Sequence, residues 1–191
     1  MAHVTILGNG NMGKAITSVV SKGGSTVQIL DVDDAATPIT GDIVVLALPY
    51  AALADVVASR REQLAGKVVV DITNPVNFET FDSLVVPTNS SAAAELAAQL
   101  PKSRVLKAFN TTFAGTLASG QVGDNVTTVL VAGDDDDAKA QLIGIVTAGG
   151  LKALDAGALS RAREMESLGF LQISLAAVDK ISWAGGFAVA A

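Results

Sequence analysis

Cysteine is absent from the chain, and histidine occurs once, as His3. Without thiols there is no disulfide framework, no thiolate metal site and no cysteine nucleophile. One histidine excludes a multi-histidine metal centre and argues against a histidine-based triad. Aromatic residues are 4% of the chain and charged residues 17%, while half of all residues are hydrophobic. That balance is too apolar for a disordered chain. Basic residues are few as well, 13 against 19 acidic ones, for a net charge of −6, which argues against binding a phosphate backbone. No apolar run is long enough to span a bilayer, since the stretch 43–54 is interrupted by Pro49. The opening MAHVTILGNG lacks the charged n-region and long apolar core of a signal peptide. The expectation is a soluble cytoplasmic protein with no metal, no nucleic acid and no membrane among its partners.

What fills the chain is small residues, alanine above all, with 18 glycines. Small side chains allow the close approach of helix and strand that layered α/β packing needs. At 191 residues the length suits one domain with a full core. Strand-like runs alternate with helical stretches: 3–7, 26–31, 43–48, 67–71, 104–108, 126–132 and 151–155 read as strands. A helical stretch follows Gly8 to Gly13 and runs to about Lys22, and a loop and a short helix are read within 109–120. Further helices are expected near 51–64, 90–100, 135–147 and 160–181, with Asn89 or Ser90 capping the one at 90–100. Strands joined by helical crossovers imply parallel pairing. The expected fold class is α/β, a doubly wound, Rossmann-like, mostly parallel sheet. The whole chain, 1–191, is read as one dinucleotide-binding domain, with 158–191 a C-terminal helical segment. Only eleven residues separate Asp31 from Ile43. A dinucleotide-binding half normally places a helix and its third strand there, so that strand is expected to be missing.

Gly8-Asn9-Gly10-Asn11-Met12-Gly13 matches G-x-G-x-x-G, a weak pattern alone but one set here between an apolar strand and a helix. The first glycine permits the turn, the second lets the backbone approach a pyrophosphate, and the third lets helix lie on strand. Unpaired N–H groups and the positive dipole end of the helix suit phosphates. Asp31, 18 residues after Gly13, is an acid where the ribose 2′-hydroxyl of NAD is commonly bound. No Arg or Lys lies between Lys22 and Arg60, and Asp33 and Asp34 add negative charge. Residue chemistry therefore points to NAD.

Ligands of such sheets sit outside the carboxyl ends of the strands. Those ends carry Leu48, Pro49 and Tyr50, then Ile72, Asn74 and Pro75, then Asn110 and Thr111. The asparagines suit a nicotinamide carboxamide and ribose. None is an acid or base. Tyr50 is read either as a proton donor or as an aromatic beside the nicotinamide, and the catalytic residues stay unknown. His3 falls at the wrong end of its strand, and Lys107, inside a strand, reads as structural. A cleft without a proton donor fits hydride transfer to an acceptor that needs little acid–base help, such as a flavin-like ring. Asp134 to Asp137 read as a helix start, where carboxylates offset the dipole. Leu168, Leu171, Leu175 and Val178 read as core or subunit interface. Arg161, Arg163, Glu164 and Glu166 read as a solvated face or local ion pairs, with Arg163 turned toward the crevice as an alternative.

In GNGNMGKA, DIVVLALPY, VVVDITNP, KAFNTTFAGTLASG, VAGDDDDAK and LDAGALSRAREMESL, the chain resembles the NADP oxidoreductases dependent on the deazaflavin coenzyme, factor 420. Its asparagine-proline and KAFNT segments also resemble the reductase domain of metalloreductases that reduce iron and copper. The first resemblance implies NADP(H) at the glycine loop, with nicotinamide facing Pro49, Asn74 and Asn110. It further implies a flat deazaflavin acceptor and a homodimer, for which the terminal segment with Trp183 and Phe187 is the expected interface. Members of that family carry Ser or Thr and Arg after the second strand, where this chain has Asp31, Val32 and Asp33. The residues thus favour NAD and the resemblance NADP. Two other readings stand beside this one: a truncated relative of the β-hydroxyacid dehydrogenases, and a non-catalytic dinucleotide-binding sensor or partner-binding module.

Overall fold

The computed structural model describes residues 1–31, 34 and 36–190. Val32 and Asp33, which entered the reading of nucleotide choice, lie outside the described residues. Strands are β1 (His3–Leu7), β2 (Thr26–Leu30), β3 (Ile43–Leu46), β4 (Val68–Asp71), β5 (Arg104–Ala108), β6 (Gln121–Val122), β7 (Asn125–Val126), β8 (Thr128–Gly133) and β9 (Lys152–Gly157). Helices are α1 (Asn11–Lys22), α2 (Leu53–Leu64), α3 (Ala92–Gln99), α4 (Ala114–Ser119), α5 (Asp136–Ala148) and α6 (Ala162–Ala177). Short 3₁₀ turns, Tyr50–Ala52 and Leu159–Arg161, lead into α2 and α6.

Seven strands form one sheet in the order β2-β1-β3-β4-β5-β8-β9, a Rossmann-like arrangement. Its core strands read as near-continuous apolar runs because they are buried on both faces: β3 is IVVL and β4 VVVD, with every residue inside. Alternation splits them between two layers. Ile43, Val45, Val68, Val70 and Leu106 meet α1 and α5 residues such as Ile16, Val19, Leu142 and Val146. Val44, Leu46, Val69 and Val105 meet Leu53, Val57, Ala93 and Leu96 of α2 and α3 on the other side.

β2 pairs with β1 alone and forms one edge of the sheet. Among the described residues between Asp31 and Ile43 there is no strand, so the third strand expected of such folds is indeed missing. Instead, residues 37–42 run back across the foot of β1 and β2. Gln28 Oε1 accepts from Thr40 N–H, Gln28 Nε2 donates to the Pro38 carbonyl, and Gly41 N–H donates to Thr5 Oγ1. His3 lies at this end, between the hydroxyls of Thr26 and Thr40.

Parallel pairing fails at one place. β8 runs antiparallel to β5, with Ala108 opposite Val131, and β9 follows β8 in parallel. The link between β5 and β8 contains only six-residue α4 and the hairpin β6–β7. β8 starts beside the end of β5 and runs back along it. The third long helix is capped by Ser91, whose Oγ accepts from Ala94 N–H, rather than by Asn89 or Ser90. Asp135 caps α5 through Ala138 N–H, as an acid at a helix start should.

α6 is shorter than the 160–181 expected, and its buried stripe differs from the one read in the sequence. Ala162, Met165, Glu166, Gly169, Gln172, Ile173 and Ala176 face inward. Leu171 and Val178 are exposed. The stripe Leu168–Leu171–Leu175–Val178 is thus no core stripe, and Glu166 is no part of a solvated face.

Candidate functional site

The glycine loop leaves β1 and enters α1 directly. Gly8 has φ +109°, and a Cβ on it would run into the Ala47 carbonyl. A Cβ on Gly13 would run into the carbonyl of Gly8. These two glycines are fixed by the protein's own backbone. Gly10 differs: its φ is −75° and ψ −171°, which any residue adopts, and nothing lies within 4 Å of its Cβ position. No side chain caps α1, of which Gly10 is the N-cap, and no acid stands in its first turn. By contrast α3 and α5 are capped by Ser91 and Asp135. Asn9, Gly10 and Asn11 are exposed, and Met12 is half-buried. The helix thus offers bare donors and a positive dipole end to open space, the setting in which anions bind.

Asp31 follows β2 and is exposed. Its N–H donates to Asp34 Oδ2 at 2.9 Å, and its carbonyl accepts from Asp34 N–H at 3.0 Å. The two acids close one turn at the β2 end of the crevice.

After β3, Pro49 is exposed and Leu48 lies against the α2–α3 layer with Tyr50. The Tyr50 hydroxyl donates to Glu95 Oε2 at 2.8 Å. Burial, then the bond to Glu95, pushes this phenol up from 10.0 to about 12. Tyr50 is thus tied to α3 and is a poor acid near neutral pH.

Asn74 and Asn110 are brought together. Asn74 Nδ2 donates to the Asn110 carbonyl at 2.8 Å, and Asn110 Nδ2 donates to Asn74 Oδ1 and to the Met165 carbonyl, both at 2.9 Å. Gly169 of α6 lies so close that a Cβ there would run into Asn74 Oδ1. The pair therefore joins the loops after β4 and β5 to α6. Pro75 is buried beside it. Among the described residues, the buried Asn110 Oδ1 and Thr73 Oγ1 find no hydrogen-bond partner. Such orphaned polar atoms are uncommon in a protein interior.

Beneath these loops lies a charged cluster in the core. Lys107 Nζ contacts Asp71 Oδ2 and Glu166 Oε1, each at 2.8 Å, and the Thr73 carbonyl at 2.6 Å. Lys107 and Asp71 are fully buried and Glu166 is 1% exposed. Glu166 also accepts from Ala92 and Ala93 N–H at the start of α3, where a negative charge meets the helix dipole. Its desolvation outweighs the pull of Lys107, and the carboxyl is raised above its ordinary 4.5. Lys107 is structural, as its strand position suggested. Glu166 shares the inward face of Ala162, Met165 and Gly169, a three- and four-residue spacing visible in the sequence.

Asn11 and Met12 also line a cavity of about 620 Å³ with Lys14, Ala15, Ser18, Phe113, Ala114, Gly115, Ala118 and Trp183. Phe113 and Trp183 meet with ring centroids 5.0 Å apart. Sequence reasoning did not place these residues here. Phe113 stands three residues beyond Asn110, a signal that was available. Trp183 lies in the tail after α6, where no local pattern shows what it touches. Tyr50 and Asp31 do not line this cavity. Among the described residues, no helix is long and apolar enough to cross a membrane.

Comparison with known proteins agrees with the resemblance read in the sequence. The model of the family described as NADP oxidoreductase, coenzyme F420-dependent, matches residues 20–75. F420-dependent NADP reductase of Methanocaldococcus jannaschii is 29% identical over 168 residues, which is 85% of this chain and 74% of that protein. Metalloreductase STEAP3 of Rattus norvegicus is 37% identical over 110 residues, or 58% of this chain. The chain spans only 21% of that longer protein. Among solved structures, one from Arthrobacter sp. FB24, proposed to be an F420-dependent NADP reductase, superposes with a TM-score of 0.83 at 24% identity over all of both chains. At that identity the likeness concerns the fold.

Proposed function

We propose that this chain, a relative of the NADP oxidoreductases that use coenzyme F420, is a pyridine-nucleotide-dependent oxidoreductase passing hydride between NAD(P)H and a flavin-like or deazaflavin acceptor. The observation that carries the reading is Gly10. Neither backbone conformation nor protein packing requires a glycine there. A missing side chain that the protein itself does not need is explained by a ligand that must come close.

In this reading Gly8 to Gly13 and the bare N-terminus of α1 hold the pyrophosphate. The ribose 2′ position meets the turn of Asp31 and Asp34. Leu48, Pro49, Asn74 and Asn110 border the nicotinamide, and Asn110 Oδ1, buried without a partner among the described residues, suits a carboxamide N–H. Bound nicotinamide supplies a hydride to the acceptor. The chain's own residues orient the two rings and keep water out. Phe113, Trp183 and Met12 give the neighbouring cavity the apolar and aromatic lining that suits a flat ring system. Tyr50, bound to Glu95, leaves acid–base work undone, which fits an acceptor that needs little of it. NADP is favoured by the relatives' names and NAD by Asp31. A homodimer formed through the exposed face of α6 belongs to the same reading.

Thermal-shift titration tests it. Both the nucleotide and a deazaflavin or flavin should raise the melting temperature by mass action, by about 2.7 kcal/mol of added stability at a hundredfold excess over Kd. A melting temperature unmoved by NAD, NADP and their reduced forms would refute the dinucleotide site. Tight nucleotide binding without turnover on any acceptor would instead favour the non-catalytic sensor.

A further inference from the structure

Arg60 stands in α2, far along the sequence from the glycine loop, yet it reaches the turn after β2. It is 6% exposed. Its Nη2 donates to the Asp34 carbonyl at 2.6 Å and its Nη1 to the Thr37 carbonyl at 2.9 Å. One turn further along α2, Gln63 Oε1 accepts from Ile39 N–H at 2.8 Å. α2 thus holds the segment that replaces the missing third strand. Among the described residues, Arg60 makes no ion pair. Among the described residues its partners are two neutral carbonyls, and burying a guanidinium is costly unless such bonds hold it.

The same Asp34 whose carbonyl Arg60 holds uses its carboxylate to bind Asp31 N–H. The guanidinium therefore lies under the turn that faces the ribose 2′ position in this class of fold. The sequence shows no cation between Lys22 and Arg60. The fold supplies one from the neighbouring helix.

We infer that Arg60 is a specificity-determining positioning residue. From beneath the turn it offsets the carboxylates of Asp31 and Asp34, so that this end of the crevice accepts a 2′-phosphate. It acts through the turn and through its field, without touching the ribose. The inference rests on the reading of the glycine loop as a dinucleotide site.

Calorimetric binding of NADP and NAD to the full chain, to Arg60→Met and to Arg60→Lys tests it at low salt. Arg60→Met should weaken NADP about fivefold more than NAD, the size expected for a partly screened charge that does not touch the phosphate. Arg60→Lys should keep most of the preference. Equal weakening of both nucleotides would reduce Arg60 to a structural support and overturn the inference, as would an unchanged ratio. The parent protein gives a second measurement should Arg60→Met not fold. Raising NaCl should weaken NADP more than NAD if attraction dominates at this turn. A relative gain for NADP with salt would mean net repulsion and overturn the inference. If neither nucleotide binds the parent, the functional reading itself fails, an outcome distinct from a changed ratio.

Discussion

Gly10 separates folding from binding in a way its two companions do not. A side chain at Gly8 or Gly13 meets the carbonyl of Ala47 or of Gly8. Gly8→Ala should therefore cost on the order of 2–4 kcal/mol in urea unfolding, with φ +109° adding strain. Gly10→Val should leave stability within about 1 kcal/mol of the parent and remove nucleotide binding. Tyr50 gives a second check at this scale, because it is the only tyrosine. Absorbance at 295 nm should show it ionising at about 12 rather than 10.0, and Glu95→Gln should bring it down. A midpoint near 10 would mean the bond to Glu95 does not hold. Lys107→Met should destabilise the fold by about 3–5 kcal/mol at neutral pH, since it strands two buried carboxylates. Glu166 adds a pH dependence with a definite sign. Its carboxyl is raised in the folded state, so the unfolded chain binds fewer protons just above pH 4.5. Stability then falls as pH rises through that interval. Glu166→Gln should flatten this part of the profile, and an unchanged slope would contradict the assignment.

At the scale of elements, the legible parts of the sequence were those ruled by local pattern. Continuous β-branched runs gave the buried strands, and the eleven-residue gap after Asp31 gave the missing third strand. The direction of β8 was not legible. It depends on where the link 109–127 sends the chain, which no local pattern records. The faces of α6 were misread for a related reason. Leucines marked one stripe, but the inward stripe is made of alanine, glycine, methionine and a glutamate, small or polar groups that only a tertiary partner explains. Gly169 tests that packing. Gly169→Leu should displace α6 from Asn74 and Asn110 and cost about 1–3 kcal/mol or more by overpacking. If the variant is as stable as the parent, the contact between α6 and the asparagine pair is not tight.

The glycine loop and the asparagine pair follow the carboxyl ends of β1, β4 and β5, and exposed apolar side chains stand on other segments. Phe78, Val85, Leu171 and Val178 are each more than half exposed. Exposed apolar groups of this size mark interaction surfaces when they are contiguous, and the proposed homodimer would cover Leu171 and Val178. Sedimentation should show a dimer that Leu171→Asp with Val178→Asp converts to monomer. A parent that stays monomeric at all concentrations would reject it. The candidate site itself was legible where it rests on chain-local motifs, as at Gly8 to Gly13. It was not legible where distant segments meet, as with Arg60 under the turn of Asp34 or Trp183 against Phe113.

In the proposed function Gly8 to Gly13 hold a pyridine dinucleotide from which hydride passes to a flavin-like ring. The most direct measurement is the loss of reduced-nucleotide absorbance at 340 nm with a deazaflavin or flavin acceptor, in the parent and in Gly10→Val at matched melting temperature. Turnover is expected in the parent, with a loss of at least about a hundredfold in the variant, the effect of excluding a bound phosphate group from its donors. Equal rates in the two proteins would contradict this function.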